Sequence, residues 1–311
     1  MFALALSVLL TAAPPAPAEG APKTPGTVLG VNLNGVPGPV TPQPPAPPAA
    51  PDPKAKPVPT DAECAALPQV KPPFAFGSGE QLEFDLDAVG AQAGKLYMTV
   101  LPLDKNKGEL PIRAEAKNNT FFAKIRRVNG GGTSYLNPKT LRPIRFVEDY
   151  MENDAHRYAD VVFRPKDHGI SVDFKEGATS GHRDFKYANE GLDLVGALYL
   201  LRQLPLQVGT PVCFDTYGVR KMWRVFGKVE AKEHVSLPVG EFEAYHLSGT
   251  AVRTDRTAAQ REIHIWISAD AKRLPLVAMG VIDLGAVRAT LTAFTRKDQK
   301  ARAEGKETLK W

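Results

Sequence analysis

Cysteine is scarce in this chain, with only Cys64 and Cys213 among 311 residues, so neither a disulfide-dense scaffold nor a thiolate zinc site can be built from it. The six histidines, at 156, 168, 182, 234, 246 and 264, never fall at the short helical or knuckle spacing that zinc ligation needs. No Gly-x-Ser-x-Gly elbow, Walker loop or strand-linked Gly-x-Gly-x-x-Gly occurs, which removes the motif basis for a serine hydrolase or a nucleotide enzyme. No apolar run approaches the ~20 residues a bilayer-crossing helix requires. An acidic excess is missing too: the formal charge is +5. The basic residues, among them Lys124, Arg126 and Arg127, neither line one helix nor interleave with aromatics, so they predict a solvated surface and no nucleic-acid partner.

What the chain has in excess at its start is proline, concentrated between Pro14 and Pro73. Fixed φ and missing N–H donors make residues 19–73 a Pro/Ala-rich, extended and disordered linker. Ahead of it, the apolar run from Met1 ends at Ala16-Pro17-Ala18, with small residues where signal peptidase cuts, although no basic residue precedes it. Residues 1–18 are therefore expected to be a signal peptide, and the protein to be periplasmic. Residues 296–311 form a charged, flexible tail.

From residue 74 to 295 the pattern becomes short alternating runs broken by turn signals, the signature of a β-rich domain. Leu82, Phe84 and Leu86 alternate with Glu83, Asp85 and Asp87; three acids on one strand face point alike and do not converge as a general acid and base must. Further strands are expected at 95–101, 110–116, 120–128 and 133–136, with Asn129-Gly130-Gly131-Gly132 as a hairpin turn. Others follow at 143–150, 157–164, 169–174, 222–235, 242–252, 261–268 and 286–295. Thr179-Ser180-Gly181-His182-Arg183-Asp184 crowds nucleophile, base and acid together, but sequence neighbours rarely form a triad and the segment reads as a loop. Between Asn189, its expected cap, and Pro205, its stop, Leu194, Leu198 and Leu201 recur at helical spacing over three to four turns. The expected fold is mainly β: a curved antiparallel sheet or open barrel with one buried helix on its concave side, preceded by the Pro-rich disordered segment.

Asp193-Leu194-Val195-Gly196-Ala197-Leu198-Tyr199-Leu200-Leu201-Arg202, followed by Pro205-Leu206 and Gly209, resembles the central signature of the bacterial family catalogued as domain of unknown function 3108. Phe76-Gly77-Ser78-Gly79-Glu80-Gln81-Leu82 and Ile265-Trp266-Ile267-Ser268-Ala269-Asp270, with Arg273, Leu274 and Pro275, are similar to it as well. The resemblance spans residues 74 to 295. It implies export by a Gram-negative bacterium and a β-rich fold, and no activity.

The candidate ligand-binding residues are Leu198, Tyr199, Leu201 and Arg202 on the helix with Trp223 and Trp266 on strands, which would line a groove if one sheet face is open. Against that, Arg202 on a buried helix needs an acceptor and suits a structural ion pair, while Trp266 suits a core packed on both faces. Export also makes a Cys64–Cys213 disulfide the expected state, the alternative being two free thiols. Three functions remain. The first is a non-catalytic envelope binding or carrier module for a lipid-like ligand, needing no cofactor and no metal. The second is a structural or interaction protein whose partner is another envelope protein; the third, a hydrolytic enzyme.

Overall fold

The alternation at Gln81–Ala88 becomes β1, and its Leu82, Phe84 and Leu86 are buried while the acids between them reach water, where Lys95 Nζ bridges Glu83 (2.5 Å) and Asp85 (3.2 Å). The computed structural model describes residues 57–296 except 219, 283 and 284. The expected signal peptide, the linker up to residue 56 and the tail from residue 297 lie outside the described residues.

β1 opens a run of hairpins: β2 (Ala91–Val100), β3 (Leu110–Asn118), β4 (Val128–Leu136), β5 (Pro143–Glu152), β6 (Ala155–Arg164), β7 (Gly169–Glu176) and β8 (Thr179–Lys186). The β1–β2 turn has positive φ at Val89 and Gly90, matching the twist of the strands it joins. A second run follows: β9 (Gly191–Asp193), β10 (Pro211–Gly218), β11 (Lys221–Leu237), β12 (Gly240–Arg253), β13 (Arg256–Ser268), β14 (Pro275–Ile282) and β15 (Gly285–Thr295). Among the described residues the α-helices are a four-residue α1 (Phe122–Ile125) and α2 (Leu194–Leu201). All fifteen strands form one sheet ordered β8 through β1, then β15 through β9, so the two runs are joined where β1 pairs with β15.

That order corrects the expectation of a curved sheet or open barrel. The sheet is large and mixed, not curled or closed into a barrel, and its single parallel pair among the described residues is β9–β10. Closure would need β8 and β9 to pair. β9 has three residues and pairs only with β10, while β8 is solvent-exposed along nearly its whole length.

Four local expectations are also corrected. Gly130-Gly131-Gly132 is not a turn but the middle of β4, where a Cβ on Gly131 would stand 1.9 Å from the Ala114 carbonyl oxygen; close strand approach, not chain reversal, requires the glycines. Residues 120–128 are mostly the α1 loop rather than a strand, and 179–186 form a polar edge strand rather than a loop. The helix is two turns, shorter than read, because Gly191, Leu192 and Asp193 pair with Asp215, Thr216 and Tyr217 of β10.

The end of the Pro-rich stretch is part of the folded unit. Cys64, Leu67 and Val70 are buried, and residues 57–70 run as a strap over the sheet. Arg224 donates to the Pro59 carbonyl (2.9 Å) and to Asp61 (2.7 Å), Asn189 to the carbonyls of Asp61 and Cys64, and Arg142 to that of Leu67 (3.0 Å). A Cys64–Cys213 disulfide fastens it.

Candidate binding site

Asp193 starts α2. Its Oδ1 accepts from the Gly196 N–H (2.8 Å) and its Oδ2 from the Ser134 hydroxyl (2.6 Å), so the buried carboxylate satisfies a helix-terminal donor while burial pushes its pKa up. This is the cap that Asn189 was expected to supply; Asn189 instead holds the strap. Every residue of α2 from Val195 to Leu201 is buried, as a helix apolar on most of its circumference must be. It touches β3 and β4 as well as β9 and β10.

Two of the expected site residues turn away from any ligand space. Arg202 forms a buried bidentate ion pair with Glu80 (2.7 and 3.0 Å) and donates to the carbonyls of Arg273 and Lys272. Tyr199 donates to Glu80 (3.3 Å), and its ring lies beneath the Arg202 guanidinium, edge-on to Phe76. Burial holds the Tyr199 hydroxyl well above its ordinary range, so it stays protonated. These groups fasten α2 to the start of β1 and to the turn before β14.

Leu198, Leu201 and Trp223 are brought together. With Leu194 they face Phe214 and Ile265 around a cavity of ≈ 70 Å³ between α2 and the β10–β13 wall. That is several times the ~10–15 Å³ that one water needs. Trp223 donates its indole N–H to the Gly218 carbonyl (3.1 Å), so its polar edge is satisfied by its own hairpin. The wall includes Thr216, whose hydroxyl is buried without a hydrogen-bond partner.

Trp266 is elsewhere. Ile263 and Ile265 line the cavity, and alternation puts His264 and Trp266 on the opposite face, where Trp266 stacks on His246 (4.2 Å between ring centres) and donates to Glu233. His246 Nε2 lies 2.9 Å from His264 Nδ1, and burial lowers the His246 pKa. On that same outer face the strap residues Pro57, Pro59 and Glu63 frame a second hollow of ≈ 560 Å³ beside Lys228 and Glu230. Phe214, Leu247 and Ala251 were missed as lining residues; all three are buried, and the position of α2 selects them from the rest of the core.

The Ser-His-Asp crowding of β8 resolves into a surface ion cluster. His182 Nδ1 lies 2.8 Å from Asp173, and Nε2 lies 3.3 Å from Asp184 and 3.5 Å from Ser171 Oγ. Hydrogen bonds to Asp173 and then Asp184 raise its pKa, which favours the imidazolium and disfavours a general base. No group of three or more His, Cys, Asp or Glu side chains among the described residues is arranged to hold a metal ion. No helix among them is long and apolar enough to cross a membrane.

The family model described as "Protein of unknown function (DUF3108)" matches residues 83–292, a stretch that includes α2 and the whole cavity wall. The chain belongs to this family. No curated protein matches it. Among solved structures, the β-barrel-like protein of domain of unknown function DUF1849 from Brucella abortus is 8% identical, with 75% of this chain and 100% of that one covered and a TM-score of 0.48. A Bacteroides fragilis protein with a YmcC-like fold is 7% identical, covering 73% and 100%, with a TM-score of 0.29. Likenesses this remote carry no argument about the DUF3108 chain.

Proposed function

We propose that this DUF3108 protein is a non-catalytic binding or carrier module of the bacterial cell envelope, acting in the periplasm, that holds a lipid-like chain between α2 and the β10–β13 wall. The cavity carries the reading. A partly open hollow walled by Leu198, Leu201, Phe214, Trp223 and Ile265 offers water almost no partner. Apolar lining with a fixed shape suits a methylene chain.

The lack of a catalytic role is supported by the groups around the helix, each committed to structure: Arg202 to Glu80, Asp193 to Ser134 and Gly196, Tyr199 to Glu80. Export is supported by the Cys64–Cys213 disulfide, which persists in oxidising compartments, and by the leader expected at residues 1–18. A second reading, an envelope interaction protein without a small ligand, draws support from the exposed apolar residues Val89, Phe121 and Ile125.

Native mass spectrometry of the protein purified from its own periplasm tests the first reading. A retained lipid is expected, and it should be absent from Ala251→Phe, whose ring would occupy the cavity. Wild-type protein that carries no lipid and takes up no fluorescent fatty acyl probe would refute it.

A further inference from the structure

The three most exposed large apolar side chains among the described residues are Val89 (66%), Phe121 (64%) and Ile125 (61%). They come from two separate connections, the β1–β2 turn and the α1 loop between β3 and β4, which meet at one end of the sheet. Asn119 joins them: its N–H donates to the Ala93 carbonyl (2.8 Å), its side-chain amide donates to the Gln92 carbonyl (2.5 Å), and its Oδ1 accepts from the Phe122 N–H (2.9 Å). Asn118 clasps the other side of the loop, donating to the Arg126 carbonyl and accepting from the Val128 N–H. Phe122 packs inward against Ala88 and Val287, leaving Phe121 and Ile125 outward. The loop is thus held by the fold while presenting apolar groups to solvent, an arrangement with no packing purpose inside the monomer.

The charge of the α1 segment has one sign in sequence. From Lys117 to Arg127 the segment carries Lys117, Lys124, Arg126 and Arg127 and no acid. Arg126 and Arg127 pair with Glu152 and Asp154, while Lys117 and Lys124 are exposed. Aromatic and aliphatic side chains next to lysines are the combination that enters the boundary between acyl chains and anionic headgroups. The tip also lies near the cavity, since Phe122 and Ile263 both pack against the Ala88 and Val287 cluster and Ile263 lines the space beside α2.

We infer that the tip formed by Val89, Phe121 and Ile125 with Lys124 is a docking surface for a lipid bilayer bearing anionic headgroups. Phe121 and Ile125 enter the acyl boundary, and the lysines meet lipid phosphates. The surface is separate from the cavity: docking requires no bound ligand.

Vesicle flotation of the purified protein tests this, comparing phosphatidylglycerol/phosphatidylethanolamine vesicles with pure phosphatidylcholine. Binding to the anionic vesicles, falling with added salt, is expected. Phe121→Ser/Ile125→Ser should weaken it more than about tenfold, and Lys124→Glu about fivefold or more. Both sites are exposed, so unchanged melting temperatures will show that these variants fold. Ala251→Phe should still bind, which separates failure of the tip from failure of the cavity reading. As a second measurement, the emission of Phe121→Trp should shift to the blue on vesicle addition and be quenched by lipid-borne quenchers. Flotation unaffected by the double variant overturns the inference. So does concentration-dependent self-association that the double variant abolishes, because the tip would then be a contact between copies of this chain.

Discussion

Arg202 at the end of α2 and Glu80 just before β1 lie 122 residues apart in sequence and meet as a bidentate ion pair with essentially no exposed side-chain surface. Such a pair is fully desolvated, so its partners depend on each other more than on any neighbour.

Removing one partner should therefore be far worse than removing both. Glu80→Gln or Arg202→Met is expected to destabilise by about 3–5 kcal/mol, because an uncompensated charge or unmatched donors stay buried. The double variant Glu80→Leu/Arg202→Met should recover part of that loss, since no charge stays buried although the Tyr199 hydroxyl and the Lys272 and Arg273 carbonyls still lose a partner. Urea denaturation checks this, and equal destabilisation by the single and double variants would contradict it.

The Cys64–Cys213 disulfide closes a loop across 149 positions, for which the chain-entropy model gives about 5 kcal/mol. The strap keeps its contacts with Arg142, Asn189 and Arg224 after reduction, so residual native order should persist there. Reduction, or Cys64→Ser/Cys213→Ser, should lower stability by about 2–5 kcal/mol and speed hydrogen exchange in residues 57–70 ahead of the sheet. An unchanged denaturation midpoint under reductant would count against the strap's role.

Thr216 buries a hydroxyl with no partner in the cavity wall. Thr216→Val keeps the branched shape and removes the unsatisfied group, so it should stabilise the protein by about 1 kcal/mol or more. Destabilisation in a thermal melt would mean that the hydroxyl is satisfied in solution.

Two histidines should titrate in opposite directions. Hydrogen bonds to Asp173 and Asp184 raise the His182 pKa above 6.5, so its contribution to stability is full below pH 6.5 and fades as pH rises through its folded value. Burial lowers the His246 pKa below 6.5, so its contribution is present above pH 6.5 and is lost as pH falls through its folded value. Imidazole NMR titration should place the His182 midpoint above that of His246, and Asp173→Asn should move His182 downward. Coincident midpoints would refute the assignment.

What the sequence made legible was local. The alternation of Leu82, Phe84 and Leu86, the helical spacing of Leu194, Leu198 and Leu201, and the pairing of the two cysteines all survive in three dimensions. What it hid depends on distant partners. Gly131 reads as a turn residue until the Ala114 carbonyl is brought against it, and Leu192 reads as helix until Thr216 offers it a ladder. The β8 segment lacks alternation because both its faces are wet. Trp266 was expected in the groove and lies on the opposite face, because which face borders the cavity is decided by α2. Whether the sheet closes is likewise a property of its two edges, which no local pattern encodes.

The seam between β1 and β15 has a consequence for chain connectivity. Gln81 pairs with Thr295, so the beginning of one hairpin run lies beside the end of the other, while the sheet's two outermost strands, β8 and β9, are joined by only a few residues. Joining the β15 end to the β1 start and reopening the chain between β8 and β9 would make every neighbouring pair of strands consecutive in sequence, a meander except for the parallel β9–β10 pair with its α2 crossover. In such a circular permutant the longest-range pairing of the sheet becomes a neighbouring hairpin. Contact order falls, and folding should accelerate without a single side-chain contact of the sheet being altered.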